Sequence, residues 1–144
     1  MPTKILAIDD DTALTDLLST LLITHGFEVV TANYGQNGIE LAKTTNPDLI
    51  ILDLMMPDQD GWQVCQAIRA FSKTPIIVLS ALNDPGMVVN ALDAGADDYL
   101  VKPVPSNVLI AHINTLTRRA AAERNRTPLF NTRQPFSSGK ALSA

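Results

Sequence analysis

Short runs of Ile, Leu and Val recur along this chain, each followed by polar residues and then by apolar positions at helical spacing. Ile5 to Ile8 is the first run and predicts a strand. Leu14, Leu17, Leu18, Leu21 and Leu22 then share one helical face, with Gly26 placed to end the helix. Phe27 to Ala32 predicts a second strand, and about Gln36 to Thr44 a short second helix stopped by Asn46-Pro47. Leu49 to Leu52 is apolar throughout, as a central strand buried on both faces should be. Gly61 to Phe71 predicts a third helix burying Val64, Cys65 and Ile68, and Pro75 introduces a fourth strand over Ile76 to Leu79. A fourth helix from about Pro85 to Ala94 ends at Gly95, and Tyr99 to Val101 is a short fifth strand. Pro105 opens a fifth helix carrying Val108, Leu109, Ile113 and Leu116, with Ala120 to Ala122 able to extend it. Alternation of this kind, with short connections, predicts an α/β fold: a doubly wound, five-stranded parallel sheet with helices on both faces.

Composition narrows the setting. A chain of 144 residues, 46% hydrophobic and 18% charged, suits one globular domain and is short for two. Asp53 interrupts the longest apolar stretch, so no membrane span is expected. The N-terminus runs into a strand without a signal-peptide pattern, and the single cysteine, Cys65, cannot form an internal disulfide. A cytoplasmic location is therefore expected. Charge is unevenly distributed: residues 1–117 carry five Lys/Arg against fourteen Asp/Glu, and residues 118–144 carry six against one. The acidic part is expected to be the folded domain, over 1–122, with no nucleic-acid surface of its own. Residues 123–144 are expected to be a basic, flexible tail, given two prolines beyond Arg126 and the Ser137-Ser138-Gly139 stretch.

Candidate chemistry gathers just past the strands. Asp9 and Asp10 follow the first, Asp53 the third, Ser80 the fourth, and Lys102-Pro103 the fifth. Polar residues at the carboxyl ends of parallel strands converge on the crevice where open α/β sheets bind ligands. Three carboxylates crowded together repel, and an anionic phosphoryl donor makes this worse. Mg²⁺ answers both problems, because it takes octahedral oxygen ligands from carboxylates, waters and phosphate. Lys102 adds a fixed positive charge and Ser80 a short donor for phosphoryl oxygens. Asp53 ends the most apolar strand and is the best-placed nucleophile.

Plainer roles account for the other polar candidates. Asp11 or Thr12 caps the first helix. Cys65 belongs to the core, His25 offsets a helix dipole, and Trp62 packs at the start of the third helix. An aspartyl phosphatase of the haloacid-dehalogenase kind could use Asp9 and Asp11, but the next position its motif needs is Ala13, and Asp53 would go unused. A flavodoxin-like nucleotide binder needs a glycine-rich turn after the first strand, where this chain has Asp9-Asp10-Asp11-Thr12.

Four segments carry a resemblance: Ile8-Asp9-Asp10-Asp11, Asp53-Leu54-Met55-Met56-Pro57 with Asp60-Gly61, Leu79-Ser80-Ala81, and Gly95 through Pro103. Over about Thr3 to Arg119 the chain resembles the receiver domain of bacterial two-component response regulators. It is most similar to receivers attached to winged-helix transcription factors. The resemblance implies strand order 2-1-3-4-5 and phosphoryl acceptance on Asp53 from a histidine kinase or phosphotransfer protein. It implies a signalling domain, not an enzyme, whose only catalysis is its own phosphorylation and slow dephosphorylation. Mg²⁺ would be held by Asp9 and Asp10, one of them through water, with Asp53 and the backbone carbonyl of Met55. Ser80 and Lys102 would bind phosphoryl oxygens, Lys102-Pro103 would be cis, and Tyr99 would be the switch aromatic. The output is expected to pass to a separate protein or to a DNA-binding domain outside these residues. The resemblance also implies an activation-dependent homodimer through the fourth helix, fifth strand and fifth helix, in which Asp97 and Asp98 meet basic residues such as Arg118 and Arg119. His112, Asn114, Val88, Val89 and Asn90 stand where that class carries more charge, so either a weak dimer or use of the apolar Val88–Val89 face on a different partner is expected.

Overall fold

The computed structural model describes residues 2–131. Ten elements alternate in the order β1 (Lys4–Ile8), α1 (Thr12–Thr24), β2 (Glu28–Ala32), α2 (Gly35–Thr45), β3 (Leu49–Leu52), α3 (Gly61–Arg69), β4 (Ile76–Ser80), α4 (Pro85–Asp93), β5 (Asp98–Val101) and α5 (Ser106–Asn131). The strands form one parallel sheet in the order β2-β1-β3-β4-β5.

Successive side chains of a strand point to opposite faces, and here each face has its own core. Leu6, Ile8, Ile50, Leu52, Ile76 and Val78 pack with Ile39, Val64, Ile68 and Ala91 beneath α2, α3 and α4. Ile5, Ala7, Leu49, Ile51, Ile77 and Leu79 pack with Leu18, Leu22, Leu109 and Ile113 beneath α1 and α5. Burial on both sides explains why the central strands are apolar without alternation.

Register sets the site. Ile8 pairs with Leu52, so Asp9 and Asp53 leave the sheet side by side. Backbone bonds run on past the strand ends: Asp9 N–H donates to Ala32 O, Asp53 N–H to Ile8 O, and Lys102 N–H to Ser80 O, at 3.0, 3.0 and 2.9 Å. The site residues are thus anchored by the sheet itself.

Helix termini follow from local chemistry. Asp11, Asp60 and Asp84 cap α1, α3 and α4 by accepting from Leu14, Gln63 and Gly86 N–H groups. Asn46 ends α2 in the left-handed conformation at φ 50°, just before Pro47. Gly95, at φ +116°, turns the chain out of α4 towards β5.

Several boundaries differ from the sequence expectation. Phe27 precedes β2, because its N–H still donates to Leu22 O at the end of α1. The third helix stops at Arg69, where Phe71 and Ser72 N–H groups both turn back to Ile68 O. The domain boundary expected at 122 falls inside α5, which continues to Asn131. The Ser137-Ser138-Gly139 stretch lies outside the described residues. Among the described residues no helix is long and apolar enough to cross a membrane.

Candidate functional site

The sheet brings Asp9, Asp10 and Asp53 together, with one carboxylate oxygen from each lying within 4.8 Å of the others. Asp9 and Asp53 are only 5% and 6% exposed, whereas Asp10 faces solvent. Lys102 reaches across from the end of β5. Its Nζ lies 2.9 Å from Asp9 Oδ2 and 3.9 Å from Asp53 Oδ2. The other oxygen of Asp9 accepts the Asp11 N–H at 3.0 Å, so both oxygens of Asp9 are engaged within the chain. Among the described residues no donor binds the Asp10 carboxylate, which leaves it and Asp53 the more available oxygens.

Electrostatics fit this crowding. Burial pushes the Asp53 carboxyl above its ordinary 3.8, and the charge of Asp9 adds to the rise. Lys102 and a backbone hydrogen bond from Met55 work against it, and Asp10 adds a smaller upward push. One ammonium therefore faces three carboxylates. A hard dication would complete the balance, and the donors present, all oxygen, are those Mg²⁺ prefers.

The remaining predicted residues border this centre. Ser80 is fully buried as the last residue of β4, and its Oγ accepts the Leu82 N–H at 3.2 Å. The Lys102–Pro103 peptide bond is cis. Met55 is 59% exposed in the loop after β3, whereas its neighbour Leu54 is buried. That loop lies against the first turn of α3, where Gly61 N–H donates to Leu54 O at 2.8 Å. A Cβ on Gly61 would fall 2.5 Å from Leu54 Cα and 2.7 Å from Asp53 O, so only glycine permits this approach. Tyr99 is partly buried, with its hydroxyl donating to Leu82 O at 2.7 Å.

Other polar residues are not part of the centre. Cys65 is buried, its Sγ 3.4 Å from Ala94 O, and burial raises its thiol pKa. His25 Nδ1 sits 2.9 Å from Leu21 O at the end of α1. Trp62 packs against the core at the start of α3, with its buried Nε1 unpartnered.

Asp97 and Asp98, expected to supply the acidic side of contacts between chains, also have partners within this chain. Asp97 Oδ2 accepts from Ile76 N–H and from Arg69 Nη2, each at 2.8 Å, while Arg69 also binds Gly95 O and Thr74 O. Asp98 pairs with His112 on α5. Two further residues, one bonded to the site's backbone and one in the loop after Asp53, have no signal in the sequence. Asn33 donates to Asp9 O, and Asp58 accepts from the start of α2. An isolated Asn or a loop Asp carries no periodicity that would reveal such a role.

An open parallel sheet of order 2-1-3-4-5, with an acidic cluster and a lysine at its carboxyl edge, defines a signalling receiver of the two-component kind. The family model for the response regulator receiver domain matches residues 5–114, and the chain belongs to that family. It is 43% identical over 129 residues to the transcriptional regulatory protein AfsQ1 of Streptomyces coelicolor, a match covering 90% of this chain and 57% of that protein. It is 38% identical over 119 residues to the DNA-binding response regulator MtrA of Mycolicibacterium paratuberculosis, covering 83% and 53%. The BeF3-activated N-terminal receiver domain of Klebsiella pneumoniae RstA superposes with a TM-score of 0.78 at 32% identity, over 81% of this chain and 99% of that one. The chain spans about half the length of the curated relatives it matches.

Proposed function

We propose that this receiver accepts a phosphoryl group on Asp53 from the phosphohistidine of a histidine kinase or phosphotransfer protein, and so switches the face formed by α4, β5 and α5. The observation that carries this reading is the placing of Asp53: a buried carboxylate at the end of the central strand, 3.9 Å from the Lys102 ammonium and grouped with two further carboxylates. Asp10, Asp53 and the Met55 carbonyl would hold Mg²⁺. Asp9, whose oxygens are already engaged, would act through water. When bound, the ion supplies positive charge that offsets the carboxylates and the phosphoryl oxygens.

An Asp53 oxygen attacks phosphorus as the bond to the donor imidazole nitrogen breaks, and the imidazole keeps that electron pair. Lys102 and the Ser80 hydroxyl donate to the equatorial oxygens, where charge is spread in the transition state. Water returning the group to phosphate would complete a slow dephosphorylation. The only chemistry is the domain's own. An apolar groove of about 510 Å³, with Leu14, Leu17 and Leu21 of α1 and Val104 and Leu109 beside Lys102, gives the phosphodonor a surface next to the site. Transcriptional relatives of which the match covers only 57% and 53% support an output through a DNA-binding domain or a separate partner.

Incubation with Mg²⁺ and acetyl phosphate, followed by intact mass, tests the reading. One added phosphoryl group, absent in Asp53→Asn, is expected. Repeated release of phosphate without dependence on Asp53 would overturn it.

A further inference from the structure

We propose that the β2–α2 junction, residues 33–36, braces the two halves of the cation site, with Asn33 and Asp58 as positioning residues. This rests on the metal-site reading above. The candidate ligands come from two separate loops: Asp10 from the turn between β1 and α1, and Asp53 with the Met55 carbonyl from the loop between β3 and α3. The junction is hydrogen-bonded to both.

On the first side, Asn33 Nδ2 donates to Asp9 O at 2.7 Å and to Thr15 Oγ1 at 3.2 Å. Thr15 is itself buried, and its hydroxyl donates to Thr12 O. Both protons of the Asn33 amide are therefore used, which fixes its orientation. The carbonyl it binds belongs to the peptide joining Asp9 to Asp10. Holding that peptide plane sets the direction in which the Asp10 side chain leaves the backbone.

On the second side, both carboxylate oxygens of Asp58 accept the Gly35 N–H, at 3.1 and 3.0 Å, and Oδ2 lies 3.4 Å from Gln36 N. α1, α3 and α4 carry their own aspartate caps, but the N-cap of α2 is Tyr34, which makes no side-chain cap bond. α2 thus takes its cap from the loop that carries Asp53 and Met55. The fit is close, since a Cβ on Gly35 would lie 2.9 Å from Val64 Cγ2 and 3.2 Å from Gln59 Cβ. A carboxylate on the N–H groups of a helix start is favoured by the helix dipole as well as by the bonds. A few residues at one helix start therefore hold both loops in register.

A cap with a purely structural role would lower stability and leave metal affinity alone. A brace moves both, because ligands held out of place bind the cation more weakly. Mg²⁺ titrations followed by backbone amide NMR shifts, paired with thermal melts in EDTA, separate these cases. Asn33→Ala and Asp58→Ala should each raise the Mg²⁺ midpoint by about tenfold, as removal of an outer-shell partner does elsewhere. Asp58→Asn keeps an oxygen for the Gly35 N–H while losing the charge, and should stay within about twofold of wild type on the same reasoning. Wild-type midpoints in folded Ala variants would overturn the brace, as would an Asp58→Asn variant as weak as Asp58→Ala, which would make charge the cause. If Asp58→Ala does not fold, Asn33→Ala, which removes no cap, decides the matter. A wild-type protein that shows no saturation, or an Asp10→Ala variant with an unshifted midpoint, would instead sink the metal-site reading and the brace with it.

Discussion

The Tyr99 hydroxyl donates to the carbonyl oxygen of Leu82 at 2.7 Å, and the N–H of the same Leu82 donates to Ser80 Oγ at 3.2 Å. One residue of the loop after β4 therefore joins the buried hydroxyl at the site to the aromatic ring on β5. On the proposed function, a Ser80 hydroxyl drawn towards a phosphoryl group would give up its bond to Leu82, and the Tyr99 bond would report what the loop does next. Coupling of this kind requires a difference in contacts between two states. Tyr99→Phe removes the hydroxyl and keeps the ring. It should still gain a phosphoryl group by intact mass, while the amide shifts of α4 and β5 on adding beryllofluoride shrink. Shifts equal to wild type would show that the bond plays no part.

The lifetime of the acyl phosphate should depend on Met55 and Leu82. Hydrolysis needs a water held in line behind phosphorus, and neither side chain can orient one by a hydrogen bond. Met55 is exposed at the mouth of the site, so a polar group there meets solvent without a packing penalty. Met55→Asn with Leu82→Glu should speed phosphate loss roughly tenfold, less than the hundredfold or more of a full general base. The check is decay of the phosphorylated mass with time.

The raised pKa of Asp53 makes metal-free stability depend on pH. The folded protein binds this proton more tightly than the unfolded chain does. The group's contribution is therefore most favourable below the ordinary 3.8 and is lost as pH rises from there through the folded value. Asp53→Asn removes that loss. Urea unfolding without Mg²⁺ should find Asp53→Asn more stable than wild type at pH 7 by on the order of 1 kcal/mol, with the gap closing in acid. A variant less stable at pH 7 would contradict this account of the site's charge.

Asp97 links the start of β4 to the end of α3, through Ile76 N–H and Arg69. Asp97→Ala should cost about 1–2 kcal/mol in urea unfolding, since it leaves a backbone donor and a guanidinium short of an acceptor. Because Asp98 is likewise paired with His112, each of the two β5-side aspartates would have to share or give up a partner within its chain to make a contact between chains. Sedimentation with beryllofluoride should show weak self-association. A tight activated dimer would contradict this.

Much of the fold could be read from the chain because its signals are local. Runs such as Leu49 to Leu52 mark strands buried on both faces, and the residue after each run is carried to the sheet's edge by register, which is how Asp9, Asp53 and Lys102 were found. Roles set by distant partners could not be read this way. Asn33 binds a carbonyl 24 positions away, Asp58 a backbone amide 23 away, and Asp97 an amide and a guanidinium 21 and 28 away. No periodicity records such pairings. The length of α5, which runs past residue 122 to Asn131, was not legible either, because neither the charge shift near Arg118 nor the run Ala120 to Ala122 marks a helix stop.

Identifying the side chain that carries the phosphoryl group tests the central claim most directly. Protein phosphorylated with acetyl phosphate and Mg²⁺ is reduced with borohydride, which converts an aspartyl phosphate to homoserine, and is then digested and sequenced by mass spectrometry. The account predicts homoserine at position 53 alone. Homoserine at Asp9 or Asp10, or a phosphorylated mass with Asp53 unchanged, would contradict it.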